Sequence, residues 1–319
     1  MSRVRLVACL LAVLIAAVVG LRWYSATVAA ETPATVALSQ PAASRLITRQ
    51  VSASAVHQLT VADLRSITDR VINPIERGTD LRQIYERYRD SRFGFERAFA
   101  RRAWTTCFPE FMSGVGEALS VERLMTGTAS TEPNYAARVS AYRELLRRCA
   151  PFLEMSRDDV LTLTTFQDNQ WKKGEALDPG ELAVFHLRAG ESEKALAVVA
   201  DVLRSGDAYA LSTLREFVHQ HIMLEVDAQR LPGNTRVDIR TLAIAQAACE
   251  LGLDCSKDSL TAVKLCAHGG LCEGDAMTRQ MQPLTEPADR AQVVQIAQRI
   301  AAVARRGDAA AAACLWSDC

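Results

Sequence analysis

The sequence predicts an all-α fold: an irregular helical-repeat, α-solenoid-like array of antiparallel helix pairs, stapled by disulfides. Three observations predict it. Helix-start signals follow one another from Thr60 to the C-terminus, each ahead of apolar residues at three- and four-residue spacing. Strand-like alternation with hairpin turn chemistry is not found anywhere. Cysteines recur at positions where helices should end, including two copies of Cys-x2-Gly-x2-Cys, Cys249–Cys255 and Cys266–Cys272, 17 residues apart.

Thr60 with Asp63 forms a capping box ahead of Leu64, Ile67 and Val71. Asn73-Pro74 and Gly78 should break that helix. Thr79-Asp80 opens the next, with Leu81, Ile84, Tyr85 and Tyr88 on one face. Phe93, Phe95, Phe99, Ala103 and Trp104 carry the apolar spacing on to Pro109. A helix over Asn134–Cys149 should stop at Pro151, because the residue before a proline avoids the α region. Ser156 caps a helix whose inner face is Val160, Leu163 and Phe166. The clearest start is Asp178-Pro179-Gly180-Glu181, where cap, proline and glutamate each satisfy or omit an orphan N–H. Gly190 ends that helix, and Glu191–Arg204 forms its partner through Ala195, Val198, Val199 and Val202. Asp207 starts a helix reaching about Glu225. The segment Asp227–Arg236, with Pro232-Gly233-Asn234, is the best loop in the body. Helices over Val237–Leu251, Lys257–His268, Cys272–Gln282 and Pro287–Arg306 follow, and a short alanine helix closes the chain.

The N-terminus carries targeting information. Met1–Arg5 is short and basic, and Leu6–Leu21 is an uninterrupted apolar run of 16 residues. Residues 1–30 read either as a secretory signal peptide or as an N-terminal membrane anchor. Val28-Ala29-Ala30 offers small residues for cleavage; Trp23 and Tyr24 suit an interfacial position. At about 1.5 Å per residue the run spans roughly 24 Å, a little short of a ~30 Å bilayer core. Leu6-Val7-Ala8-Cys9 resembles an acylation box but precedes most of the apolar region, which argues against lipidation. Both alternatives place the body outside the cytoplasm, periplasmic or secreted. Residues 31–59, rich in Ala, Thr, Ser and Pro, read as a linker. The body divides into a helical subdomain over 60–226 and a Cys-rich helical subdomain over 237–319.

The chain is electrically balanced, with 37 basic and 37 acidic residues. Without Arg3, Arg5 and Arg22 the body is weakly acidic, so electrostatics give no reason to expect nucleic acid as a partner, and contact with the membrane is confined to the N-terminal segment. The arginine-dense stretch Arg77–Arg102 is interleaved with Glu76, Asp80, Glu86, Asp90 and Glu96, as on solvated helix faces.

Cys9 lies in the apolar head; the eight remaining cysteines are an even number in an exported chain, which favours disulfides. In each doublet the glycine sits where a helix should end in a left-handed cap, so residues just before and after it fold back on each other. This predicts Cys249 with Cys255 and Cys266 with Cys272. Cys255 and Cys266 are separated by a helix of roughly 16 Å, too far for a bridge. Cys314 and Cys319 suit a third local clip. Cys107 and Cys149, each two residues before a proline at a helix end, form the remaining pair. Zinc ligands usually stand two to four residues apart and here five intervene, and neither a thioredoxin-like Cys-x-x-Cys nor a haem-attachment motif is present. No metal site or cofactor is expected.

No catalytic residue can be assigned. His219 and His221 diverge by about 200° on a helix, so they cannot share an ion, although His221 and Glu225 could. A helix with polar residues facing water is the plainer account. His268 suits a last helical turn, and Asp158-Asp159 a first turn beside Ser156. Asp168-Asn169-Gln170-Trp171 is a polar cluster at a helix end, able to line a carbohydrate or peptide groove but as readily an ordinary loop; Trp104 and Trp171 suit a core or a groove.

The spacing Leu187, Gly190, Ala195, Val199, Val202 and Gly206, within Leu182–Leu211, resembles one helix-turn-helix unit of the tetratricopeptide or Sel1-like superfamily, without its aromatic positions. The paired Cys-x2-Gly-x2-Cys segments resemble parts of uncharacterised exported bacterial all-helical proteins. The repeat resemblance implies a protein-binding scaffold. The function expected is therefore an extracytoplasmic helical scaffold or binding module whose partner is another envelope or secreted protein. The alternative is a secreted or envelope hydrolase, for example one acting on the cell wall.

Overall fold

The computed structural model describes residues 60–78, 80–107, 120–229 and 234–317, with backbone alone at 157, 224–229 and 234–236. Residues 1–59, and with them the expected leader, anchor and linker, lie outside the described residues. Among those described there are fourteen α-helices and no strand.

The first elements differ from the expected single helix. Helix α1 (Val61–Leu64) begins with the Thr60–Asp63 capping box. It stops after one turn because Ser66 takes a left-handed conformation at φ 64°. A π-helical turn (Thr68–Ile72) then runs directly into α2 (Asn73–Glu76). Asn73-Pro74 therefore does not break the helix. Pro74 lies in the first turn of α2, where its missing N–H costs little. The wider turn before it, with Asn73 N–H donating to Thr68 O, takes the carbonyls away from the ring.

Helix α3 (Leu81–Tyr88), capped by Asp80, and α4 (Gly94–Cys107) pack as a pair around an aromatic core. Tyr85 meets Phe152 edge-on at 5.7 Å, Trp104 meets Phe152 at 5.3 Å, and Tyr88 meets Phe99 at 5.6 Å. Helix α5 (Val121–Leu124) leads to α6 (Tyr135–Leu153), which continues through Pro151 instead of stopping before it. The proline sits in the last turn, where Phe152 is fully buried and Pro151 O accepts from Arg82 Nη1 at 2.8 Å, so burial and an external donor hold the turn. Helix α7 (Arg157–Lys172) starts at Ser156 as expected, but Phe166 is 40% exposed and not part of the core.

Helix α8 (Pro179–Arg188) opens on the Asp178–Glu181 capping box and packs on α9 (Ser192–Ser205), which ends at left-handed Gly206. Helix α10 (Ala208–Gln229) packs on α8 and on α11 (Asn234–Glu250), and α11 packs on α14 (Pro287–Arg306). Helices α10 and α11 thus extend into the expected loop, narrowing it, and residues on both sides of it belong to one compact unit. Helix α12 (Leu260–Gly269) packs on α6; α13 (Ala276–Met281) follows. It starts four residues later than expected, after left-handed Gly274 and with Asp275 as its cap. The closing alanine segment, Ala309–Leu315, is a 3-10 helix.

Helices α8 and α10 approach most closely at Gly180. Its N–H donates to Thr213 Oγ1 at 2.9 Å, and a Cβ there would lie 1.9 Å from Thr213 O. Gly180→Ala must push the two backbones apart and should cost at least about 2 kcal/mol. A denaturant midpoint lowered at unchanged slope is the expected result; an unshifted midpoint would show that the pair has slack.

Candidate binding sites

The cysteines are structural. Cys107 is bonded to Cys149, Cys249 to Cys255 and Cys266 to Cys272, with Cα separations of 5.6, 5.7 and 4.3 Å. In the first clip left-handed Gly252 follows α11. In the second the left-handed residue is Gly270, one position beyond the expected Gly269, which remains helical. Gly270 N–H and Leu271 N–H close that end on Cys266 O and Leu265 O. Cys314 is disulfide-bonded, and Cys319 lies outside the described residues. Disulfides of this kind are consistent with an oxidising, extracytoplasmic environment. Among the described residues no helix is long and apolar enough to cross a membrane, and no three His, Cys, Asp or Glu side chains converge as a metal site.

The other sequence candidates fall apart. His219 is exposed. His221 stacks on Phe217 at 5.6 Å and meets Trp316 edge-on at 4.7 Å, while the side chain of Glu225 lies outside the described residues. His268, in the last turn of α12, meets Tyr142, whose Oη is 3.3 Å from Nδ1. Asp159 stays with its cap Ser156, and Trp104 is buried in the core.

Two places remain. The first is a groove of about 590 Å³ along α7 and α8, lined by Trp171, Leu177, Val184, Phe185 and Ala189. Trp171 is 44% and Phe185 46% exposed, a costly arrangement for two large rings unless something covers them. Its rim carries Lys172, Arg188, Glu181 and Glu216. Glu181 is already engaged, by Arg101 and by the Asp178 N–H, and Glu216 accepts from Gln220 Nε2 at 2.9 Å. Among the described residues neither Lys172 nor Arg188 has an ion-pair partner. The sequence marks Trp171 at a helix end, but Phe185 sits on α8 without any signal of its own.

The second is a cleft of about 610 Å³ between α4, α10, α12 and the residues after α13. A smaller recess of about 180 Å³ shares Arg102, Arg215, Thr261 and Gln280 with it. The carboxylates around the recess are tied into the fold. Buried Glu76 accepts from the Thr261 N–H at 2.8 Å, from the Thr261 hydroxyl at 3.2 Å and from Arg102 Nη2 at 3.1 Å. It thus joins α2 and α4 to the N-terminus of α12, where a negative charge is favoured. Asp254 is held by Arg77 Nε at 2.8 Å and accepts from Ser256 N–H at 3.0 Å. Asp178 caps α8; burial, and then the neighbouring Glu181, push its carboxyl up to about 7. Burial also raises the Tyr209 phenol, and the Arg102 guanidinium lies 5.3 Å from that ring's centroid. No spacing in the sequence signals this convergence, because Glu76, Arg102, Arg215 and Thr261 come from four separate helices.

No family model, curated protein or solved structure matches this chain.

Proposed function

We propose that this protein is an exported, disulfide-stapled binding module, and that the α7–α8 groove docks an extended segment of another envelope or secreted protein. The observation that carries the reading is the pair of half-exposed rings, Trp171 and Phe185, over an apolar floor. Aromatic anchors inside a charged rim are what protein interfaces use for affinity and specificity respectively. The rim selects the partner's chemistry. With Glu181 engaged internally, the unpaired rim charges Lys172 and Arg188 favour an apolar side chain flanked by aspartate or glutamate. Residues 184–189 contribute to this groove; the likeness of 182–211 to a tetratricopeptide or Sel1-like unit, the wider repeat arrangement, the periplasmic or secreted location and the tether at residues 6–21 belong to the same proposal. A hydrolase finds less support, since Glu76, Asp178 and Asp254 are each engaged in capping, hydrogen bonds or ion pairs that hold the fold.

A displayed peptide library panned on the full-length oxidised protein tests this. Enriched peptides should share an aromatic or branched aliphatic residue flanked by acidic ones. Their binding should fall at least about tenfold in Trp171→Ala/Phe185→Ala, at little cost in stability because both rings are exposed. No enrichment, or enriched peptides that bind the double variant equally well, would exclude the groove as the docking site.

A further inference from the structure

The larger cleft gathers positive charge. Among the described residues three cationic side chains, Arg102, Arg215 and Lys264, line it, and no carboxylate does. Several arginines elsewhere are matched by carboxylates: Arg147 and Arg148 with Glu144, Arg101 with Glu181, Arg77 with Asp254. Arg215 is not. It donates from Nη1 to the neutral amide oxygen Oε1 of Gln280 at 3.1 Å, and among the described residues no carboxylate pairs with it. Burial alone pulls its guanidinium below the usual arginine range, with no neighbouring charge opposing that pull. The guanidinium is partly buried, and an anion reaching it in the cleft would meet a charge less screened than one on the open surface. Most of its N–H donors remain available, and a guanidinium fork matches a carboxylate or phosphate in two parallel bonds. Arg102 donates from Nη2 to Glu76 Oε1 at 3.1 Å.

The rest of the wall is apolar. Leu242, Leu260, Leu265 and Leu271 come from α11, α12 and the turn after it. The hydroxyls of Thr105 and Thr106 are turned back onto Arg102 O, at 3.2 and 2.9 Å, so the threonines add methyl surface and acceptors but no free proton. A bare inorganic ion would leave these leucines uncovered. A neutral apolar ligand would leave Arg215 uncompensated.

We propose that this cleft binds a small organic oxyanion, its carboxylate or phosphate on Arg215 with Arg102 and Lys264 alongside, and its short apolar body on the leucine wall. The volume, about 610 Å³, falls in the range of small-molecule sites. This site shares no wall residue with the α7–α8 groove, so it stands or falls independently of peptide docking.

Titration calorimetry on the full-length oxidised protein tests it with four probes: phenylacetate, phenyl phosphate, neutral phenylacetamide and inorganic phosphate. At least one of the two organic anions should bind saturably and at least about tenfold more tightly than both the amide and inorganic phosphate; which of the two wins identifies the head group. Arg215→Met should weaken that binding at least about tenfold while melting no lower than the native protein, because it removes a desolvated charge. Should that variant fail to fold, Lys264→Met, on a half-buried residue, should weaken binding several-fold. Raising the salt should weaken it as well. Equal binding of amide and anion, undiminished binding in the folded variant, or no binding of either organic anion at millimolar concentration overturns the proposal.

Discussion

Removing the Cys107–Cys149 bridge, as Cys107→Ala/Cys149→Ala, is expected to cost about 4 kcal/mol. The bonded residues are 42 apart, so the bridge closes a long loop in the unfolded chain and removes much of its conformational freedom. It ties the last residue of α4 to α6, and both cysteines are fully buried in the same cluster as Trp104 and Phe152. Truncating them also thins that packing, which adds to the loss. The Cys249–Cys255 clip spans six residues and should contribute about 2 kcal/mol by the same reasoning. Urea unfolding of the two double variants, both fully oxidised at their remaining bridges, measures the difference. Equal losses would falsify the loop-length account and leave local packing as the source of both.

Arg148→Met should cost about 3 kcal/mol, although one neighbouring arginine would still hold Glu144. Arg148 is almost completely buried and donates in several directions: Nε to Glu144 Oε1 at 2.7 Å, Nη1 to Glu76 O at 3.0 Å and Ile75 O at 3.4 Å, Nη2 to Asp258 O at 3.2 Å. It therefore satisfies carbonyls at the end of α2 and in the segment before α12. Methionine fills much of the volume and leaves those acceptors without a donor, which is the expensive part of the change. The same cluster sets a pH dependence. Hydrogen bonds from Arg147, and then from Arg148, hold the Glu144 carboxyl at about 2, below its usual value of 4.5. Its stabilising contribution is thus complete above pH 4.5 and disappears as the pH falls towards 2. Because Glu144 is partly solvated and Arg147 largely exposed, that contribution is about 1 kcal/mol. Unfolding curves of the native protein and Glu144→Gln should converge between pH 4.5 and 2; a constant gap would locate the effect elsewhere.

Helix starts were legible because an N-cap is a local event between one side chain and a backbone N–H two or three residues on. Thr60, Asp80, Ser156 and Asp178 all cap where their residue types suggest. Helix continuity was less legible. Pro151 stays helical because Phe152 is buried and Arg82 reaches its carbonyl, and both depend on tertiary neighbours. Apolar spacing placed Phe166 inside, but its ring is on the surface; periodicity marks a face without saying what covers it. The cationic cleft was illegible for a further reason. Arg215 is marked by partial burial in a cleft beside Arg102 and Lys264, and that grouping is a property of assembled helices, not of spacing along the chain.

The short helix α2 has a consequence for how the chain assembles over time. Four residues cannot hold a helix in water, since nucleation is too costly. The contacts that hold it arrive late. Asn73 donates to Gly252 O and accepts from the Asp254 N–H, Glu76 accepts from the Thr261 N–H, and the turn before α2 is clasped by Asp207. These partners are synthesised 139 to 185 residues afterwards. The first described elements thus gain the contacts that order them only after most of the described chain has been made, and the segment around Asn73 is completed only once α12 has followed it.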